Sequence, residues 1–169
     1  MSRQNGFTLL ELAIVMTIAG ILLMASGPAV GDLFLDMRRT RVLNELLRAL
    51  HLARVESLRT GSEISVCGSR DMEGCAGDRP AWAEGWVVVD DSSESARILL
   101  RHTLDIPATV GGNRHAFTYR PDVRRSTAGT LTYCDRRGSE AARAVIISHT
   151  GRPRISSTTA SGGPLSCPR

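Results

Sequence analysis

The sequence predicts an α+β chain: a long N-terminal helix, first apolar and then amphipathic, packed against a C-terminal antiparallel β head. Three observations carry this. From Phe7 to Val30 the only charged side chain is Glu11. From Asp32 to Arg59 apolar side chains recur at three- and four-residue spacing. Beyond Gly61 the chain breaks into short strand-like stretches separated by Gly, Pro, Asp and Ser clusters.

The apolar run at 7–30 is long enough to cross a hydrocarbon core of roughly 30 Å as a helix. Pro28, following Gly27, is expected to kink it, because proline removes a backbone donor and its ring clashes with the preceding turn. After the kink, Leu33, Phe34, Met37, Leu43, Leu46, Leu47, Leu50 and Leu58 form the expected buried stripe. Arg38, Arg39, Arg41, Glu45, Arg48 and Glu56 fall mostly elsewhere, and Gly61 is the expected stop. Strands are predicted at Ile64–Cys67, Trp86–Val89, Ile98–His102, Ala116–Tyr119, Thr130–Cys134, Ala144–Ser148 and Arg154–Ser156. Trp82 and Trp86 are expected in the core or at a sheet edge, rather than as a platform for a sugar or a base. The expected organisation is a leader at 1–6, an apolar membrane or filament helix at 7–30, an amphipathic helix at 31–60 and a β-rich head at 61–169.

All 21 basic residues are arginines, and the net charge of +4 is unevenly spread. Residues 114–169 hold ten arginines against Asp122, Asp135 and Glu140, whereas the first 113 residues hold 11 arginines against 14 acids. Arginine's planar fork grips carboxylates and phosphates bidentately. The chemistry of the chain therefore points to polyanions in its C-terminal third. Nothing points to catalysis. His51, His102, His115 and His149 are scattered without metal-ligand spacing, and no G-x-S-x-G nucleophile pattern occurs. We expect no enzyme activity, no metal and no cofactor.

The four cysteines, Cys67, Cys75, Cys134 and Cys167, contain no CxxC pair, which argues against zinc. In an exported domain two disulfides are expected. Three pairings are possible. The preferred one joins Cys67 to Cys75 across a short loop and Cys134 to Cys167, which ties down the tail.

A cleaved secretory signal places a small-residue site after its apolar core. Here the polar leader "MSRQNG" comes first, with Arg3 favouring a cytoplasmic start. Cutting after Gly6 leaves the whole helix on the mature chain, with Phe7 at its new N-terminus and Glu11 fifth. "GFTLLEL" resembles the class III signal of type IV prepilins. That resemblance implies cleavage after Gly6 by a prepilin peptidase and methylation of the new amine on Phe7. It also implies a single pass through the inner membrane with a periplasmic head, and assembly with other major and minor pilins into a surface filament. A carboxylate in lipid costs a few kcal/mol on insertion scales. The family's account is that Glu11 meets the N-terminal amine of a neighbouring subunit, which makes it an assembly residue.

"WAEGWVVV", following the first two cysteines, resembles the minor pilins represented by FimT and GspH. Near the C-terminus "GRPR" places Arg152 and Arg154 two apart. Alternate residues of an extended chain point to one face, roughly 6.6 Å apart, and Pro153 biases Arg152 toward extension and toward a sheet edge. Gly151 is expected to let the backbone approach a ligand closely. The segment resembles the G-R-x-R motif of FimT-type pilins, which implies that Arg152 and Arg154 contact the DNA phosphate backbone without sequence preference during natural transformation. Arg120, Arg124, Arg125, Arg136, Arg137 and Arg143 are candidates for the surrounding positive field. Phe117, Tyr119 and Tyr133 are the only local aromatics, so base stacking is poorly supported. Two other readings share the same stem: a GspH-like pseudopilin of a type II secretion system, and a pilus-priming subunit with a protein-binding head.

Overall fold

The computed structural model describes residues 8–92, 96–122 and 126–168, with the side chains of 25–29 outside that description. The chain divides into two compact units, residues 1–38 and 39–169. A single helix, α1 (Leu9–Thr60), supplies the described part of the first unit and the opening segment of the second. Thr8 caps its start: the Glu11 amide donates to Thr8 Oγ1 at 3.3 Å. The Thr8-x-x-Glu11 spacing is that of a capping box, and Glu11 lies in the first turn, where the helix dipole favours a negative charge. From Leu9 to Met24 the apolar side chains are exposed or half-exposed. Among the described residues no helix is long and apolar enough to cross a membrane. The expected 7–30 span is described only in part, and the expected kink at Pro28 falls where side chains lie outside the description.

In the second unit, the Arg39–Thr60 part of α1 buries Val42, Leu43, Leu46, Ala49, Leu50 and Ala53. This corrects the expected stripe. Leu43, Leu46 and Leu50 are buried, but Leu33, Phe34, Met37 and Leu58 are 49–59% exposed. Two small residues, Ala49 and Ala53, take places beside the leucines in the shared core. The helix ends as its sequence predicts. Gly61 adopts φ +71° and its amide donates to Ser57 O at 3.0 Å. The Ser57 hydroxyl, buried, donates toward Ser62 O at 2.7 Å and Tyr119 O at 3.1 Å.

Among the described residues eight strands follow: β1 (Ile64–Gly68), β2 (Gly85–Asp90), β3 (Arg97–Thr103), β4 (Ala108–Gly112), β5 (Ala116–Tyr119), β6 (Gly129–Asp135), β7 (Arg143–Ile147) and β8 (Pro153–Ser156). They form two antiparallel four-stranded sheets, ordered β3-β2-β1-β5 and β4-β6-β7-β8. β4 was not expected from its sequence, ATVGG, because two glycines hide the alternation. A short 3₁₀ helix, Pro80–Ala83, was also missed. The helix and both sheets share one core containing Trp82, Trp86, Phe117, Tyr119, Leu131, Tyr133, Val145 and Ile147. Both tryptophans are fully buried, so they serve packing and not ligand stacking.

The second sheet has two covered faces. Val145 and Ile147 of β7 point into the main core, while Ala144 and Ile146 point outward and pack with Cys134, Ala142 and Leu165. Leu165 belongs to the C-terminal tail, which the Cys134–Cys167 disulfide holds against this outer face. The other disulfide joins Cys67 to Cys75.

Candidate functional site

The site is built on the turn between β7 and β8. The Gly151 amide donates to Ser148 O at 2.8 Å, and the Ser148 amide donates to Arg152 O at 3.2 Å. The Arg152 amide donates in turn to Ser148 Oγ at 3.2 Å, and the Ser148 and Thr150 hydroxyls lie 2.9 Å apart. Three residues, His149–Gly151, thus close the hairpin, with a left-handed glycine last (φ +69°). This is the usual solution for a three-residue hairpin loop. Gly151 is buried. A Cβ there would lie 2.7 Å from Tyr119 Cε1 and 2.8 Å from Ser126 Oγ. The close approach expected of Gly151 is therefore to the protein's own interior, not to a ligand, and it fixes the turn against Tyr119.

Arg152 and Arg154 leave this turn on an edge strand. Among the described residues β8 pairs only with β7, in the register Ile147↔Pro153 and Ile146↔Arg154. Pro153 therefore stands at the first residue of an edge strand, where a missing donor does little harm. Arg154 shares the outer face with Ile146. The tail covers that face through Leu165, yet Arg152 and Arg154 are both exposed. Among the described residues neither guanidinium has a carboxylate partner. Two free forks on one short extended segment can each take a phosphate oxygen pair, with the backbone behind them held rigid.

The other candidate arginines separate from this pair. Arg136, Arg137 and Arg143 lie on the β6–β7 turn and at the start of β7, the opposite end of the sheet, about 13 Å away along a five-residue strand. Arg137 is engaged by Asp135, with Nη2–Oδ2 at 2.8 Å and Nε–Oδ1 at 3.1 Å. Its hydrogen bond, with burial opposing it, holds the Asp135 carboxyl below the usual carboxylate range. Arg143 donates to Ala142 O at 2.7 Å, and Arg136 is exposed. Arg120 pairs with Glu63 at 2.7 Å. Arg124 and Arg125 lie outside the described residues, as do the processing residues Gly6 and Phe7. Glu11 is exposed in the first turn of α1. Sequence reasoning missed the Thr8 cap, although the T-x-x-E spacing was there to be read.

With this geometry in place, two family resemblances stand out. The family described as "Type II transport protein GspH" matches residues 42–151, and the "Prokaryotic N-terminal methylation motif" matches residues 1–27. The first match ends at Gly151, so it stops short of both arginines. Two crystal structures of the Pseudomonas aeruginosa (strain PAO1) type IV minor pilin FimU share the fold. One aligns with TM-score 0.54 and 23% identity over 73% of this chain and 95% of the other. The second aligns with TM-score 0.59 and 20% identity, covering 78% and 96%. No curated protein matches the chain in sequence. The methylation motif implies membrane anchoring and assembly with other pilins. The GspH match spans more than half of the chain, from the buried face of the helix to the β7–β8 turn, and the chain therefore belongs to the family described as Type II transport protein GspH.

Proposed function

We propose that this protein is a FimT-like minor type IV pilin whose head binds DNA through Arg152 and Arg154 and so supports DNA uptake in natural transformation. The observation that carries the reading is the pair of exposed, unpartnered guanidinium groups on a turn fixed by Gly151 and Tyr119. The mechanism is electrostatic. Each fork neutralises a phosphate and releases its counterions, which gives affinity without sequence preference and a steep dependence on salt. One head offers few contacts, so useful capture comes from several subunits engaging one DNA molecule. The prepilin peptidase removes the leader after Gly6, the inner membrane stores the subunit, and Glu11 guides it into the filament among other pilins.

A second reading is a pseudopilin of a type II secretion system, favoured by the description of the matching family. Its head would bind neighbouring subunits. A strain lacking the gene, complemented with wild type or with Arg152→Gln/Arg154→Gln, separates the two. Our reading predicts that the variant still enters filaments while DNA uptake falls at least tenfold and protein secretion is unaffected. Normal uptake by the variant, or a secretion defect in the deletion strain, would favour the second reading.

A further inference from the structure

The end of the sheet that carries the Arg152 turn holds a second basic element. Between β4 and β5, residues Asn113–His115 turn out at this same end: the Asn113 amide donates to Thr130 O at 3.1 Å, and Asn113 Oδ1 accepts from the Thr130 amide at 2.8 Å. The turn is fixed from inside. Fully buried Trp82 donates its indole N–H to Arg114 O at 2.9 Å. Two glycines leave the room this needs. A Cβ on Gly112 would lie 2.8 Å from Arg114 O and 2.9 Å from Trp82 Nε1, and one on Gly129 would lie 2.5 Å from Asn113 Oδ1 and 3.1 Å from Arg114 Cγ. The stem of Arg114 therefore rests against Gly129, while the residue as a whole is exposed and has no carboxylate partner among the described residues.

The register relates this turn to the first. Gly129 pairs with Ile147, and Ile147 pairs with Pro153, which lies between Arg152 and Arg154. Two strand spacings put the backbones of Gly129 and Pro153 about 10 Å apart; the Arg114 stem lies on the core-side face, beside Phe117, whereas Arg152 and Arg154 lie on the outer face. Past Arg114 opens a cleft of about 440 Å³, to which Arg79 and His115 contribute. Its carboxylate, Asp78, is already engaged, by Arg70 at 2.7 Å and by the Ala81 amide at 3.2 Å.

We propose that Arg114, with Arg79 beyond it, extends the Arg152/Arg154 site into a track across this end of the head that takes successive phosphates of one polynucleotide. The stem of Arg114 and the Arg152/Arg154 pair stand on different strands and on opposite faces of the sheet, so a ligand that touches both runs across this end of the head, as a polynucleotide backbone does. The inference rests on the DNA-binding reading above and goes beyond it in naming the residues and the direction of the track.

The test uses the full-length protein in a non-ionic detergent and a random-sequence DNA duplex, with affinity measured between 50 and 200 mM salt, the interval over which the counterion effect is well described. Wild type is compared with Arg114→Gln, with Arg152→Gln/Arg154→Gln, and with Arg136→Gln, which removes the same charge at the other end of the sheet. Thermal unfolding checks that all are equally folded. Each phosphate contact makes a fourfold rise in salt cost about 3.5-fold in affinity. Arg114→Gln should therefore shrink the loss between these salts by about that factor, while Arg136→Gln leaves it unchanged. If the double variant weakens binding but Arg114→Gln and Arg136→Gln behave alike, the track is wrong and the DNA reading stands. No binding by wild type would overturn both. Weakening by Arg114→Gln without weakening by the double variant would overturn the shared track as well, because Arg114 would then belong to a separate site.

Discussion

At Gly151 the backbone runs in the left-handed region, and any side chain would meet the ring of Tyr119. Both constraints act on the residue that sets the direction of Arg152. A non-glycine residue in this region costs roughly 1–2 kcal/mol, and forcing a methyl into a packed site typically adds about 1–3 kcal/mol. Gly151→Ala should therefore destabilise the head by about 2–5 kcal/mol in a denaturant titration. Thr150→Ala, exposed in the same turn, should cost under about 0.5 kcal/mol. Equal stability of the two variants would remove Gly151 from its positioning role. In the sequence this glycine read as an opening toward a ligand. Its true neighbours, Tyr119 and Ser126, lie more than twenty residues away in the chain, and no local pattern reveals them. The edge position of Arg152 and Arg154 was legible for the opposite reason, because Pro153 marks an edge by local chemistry alone, whereas their exposure beside the tail was not.

The strands were legible wherever apolar and polar residues alternate, as in Ala116–Tyr119, and illegible at β4, where Gly112 makes room for the neighbouring turn and Trp82, and Gly111 for Pro168 of the tail. The helix face was half legible: leucines announce themselves, whereas Ala49 and Ala53 are buried for their smallness. Two predictions belong to this scale. The β6–β7 turn is tied by Asp135 and Arg137. Because the folded state holds Asp135 below its ordinary pKa, the unfolded chain takes up this proton first as pH falls. The stabilisation is thus complete above the unfolded carboxylate range, near pH 4, and is lost as pH drops through the lower folded value. Asp135→Asn should cost about 1.5–3 kcal/mol at neutral pH and flatten the acid limb of the stability profile. An unchanged acid limb would show that the pair contributes nothing. The second prediction concerns the tail. Cys134–Cys167 closes a loop with a sequence separation of 33, so Cys134→Ser/Cys167→Ser should destabilise the head by about 2–4 kcal/mol. It should also free Leu165 from Ile146, which amide hydrogen exchange on the tail would register.

For the molecule as a whole, the proposed reading separates two tasks along the chain: assembly at the N-terminus and polyanion recognition in the C-terminal third. The excess of arginine after residue 113 was plain from composition, but its division was not. The fold sends Arg136, Arg137 and Arg143 to one end of a sheet, with Arg137 neutralised by Asp135, and gathers Arg152, Arg154 and Arg114 at the other. Strand register decides this, and register is a property of the whole head. The central claim is that the second group grips DNA phosphates. The most direct test is equilibrium binding of the full-length protein to duplex DNA across a range of salt, beside Arg152→Gln/Arg154→Gln at equal folded stability. The account predicts that wild type binds and that the variant is weaker, with a log–log salt slope shallower by about 1.8, two contacts at roughly 0.9 each. Equal affinities and equal slopes for the two proteins would contradict it.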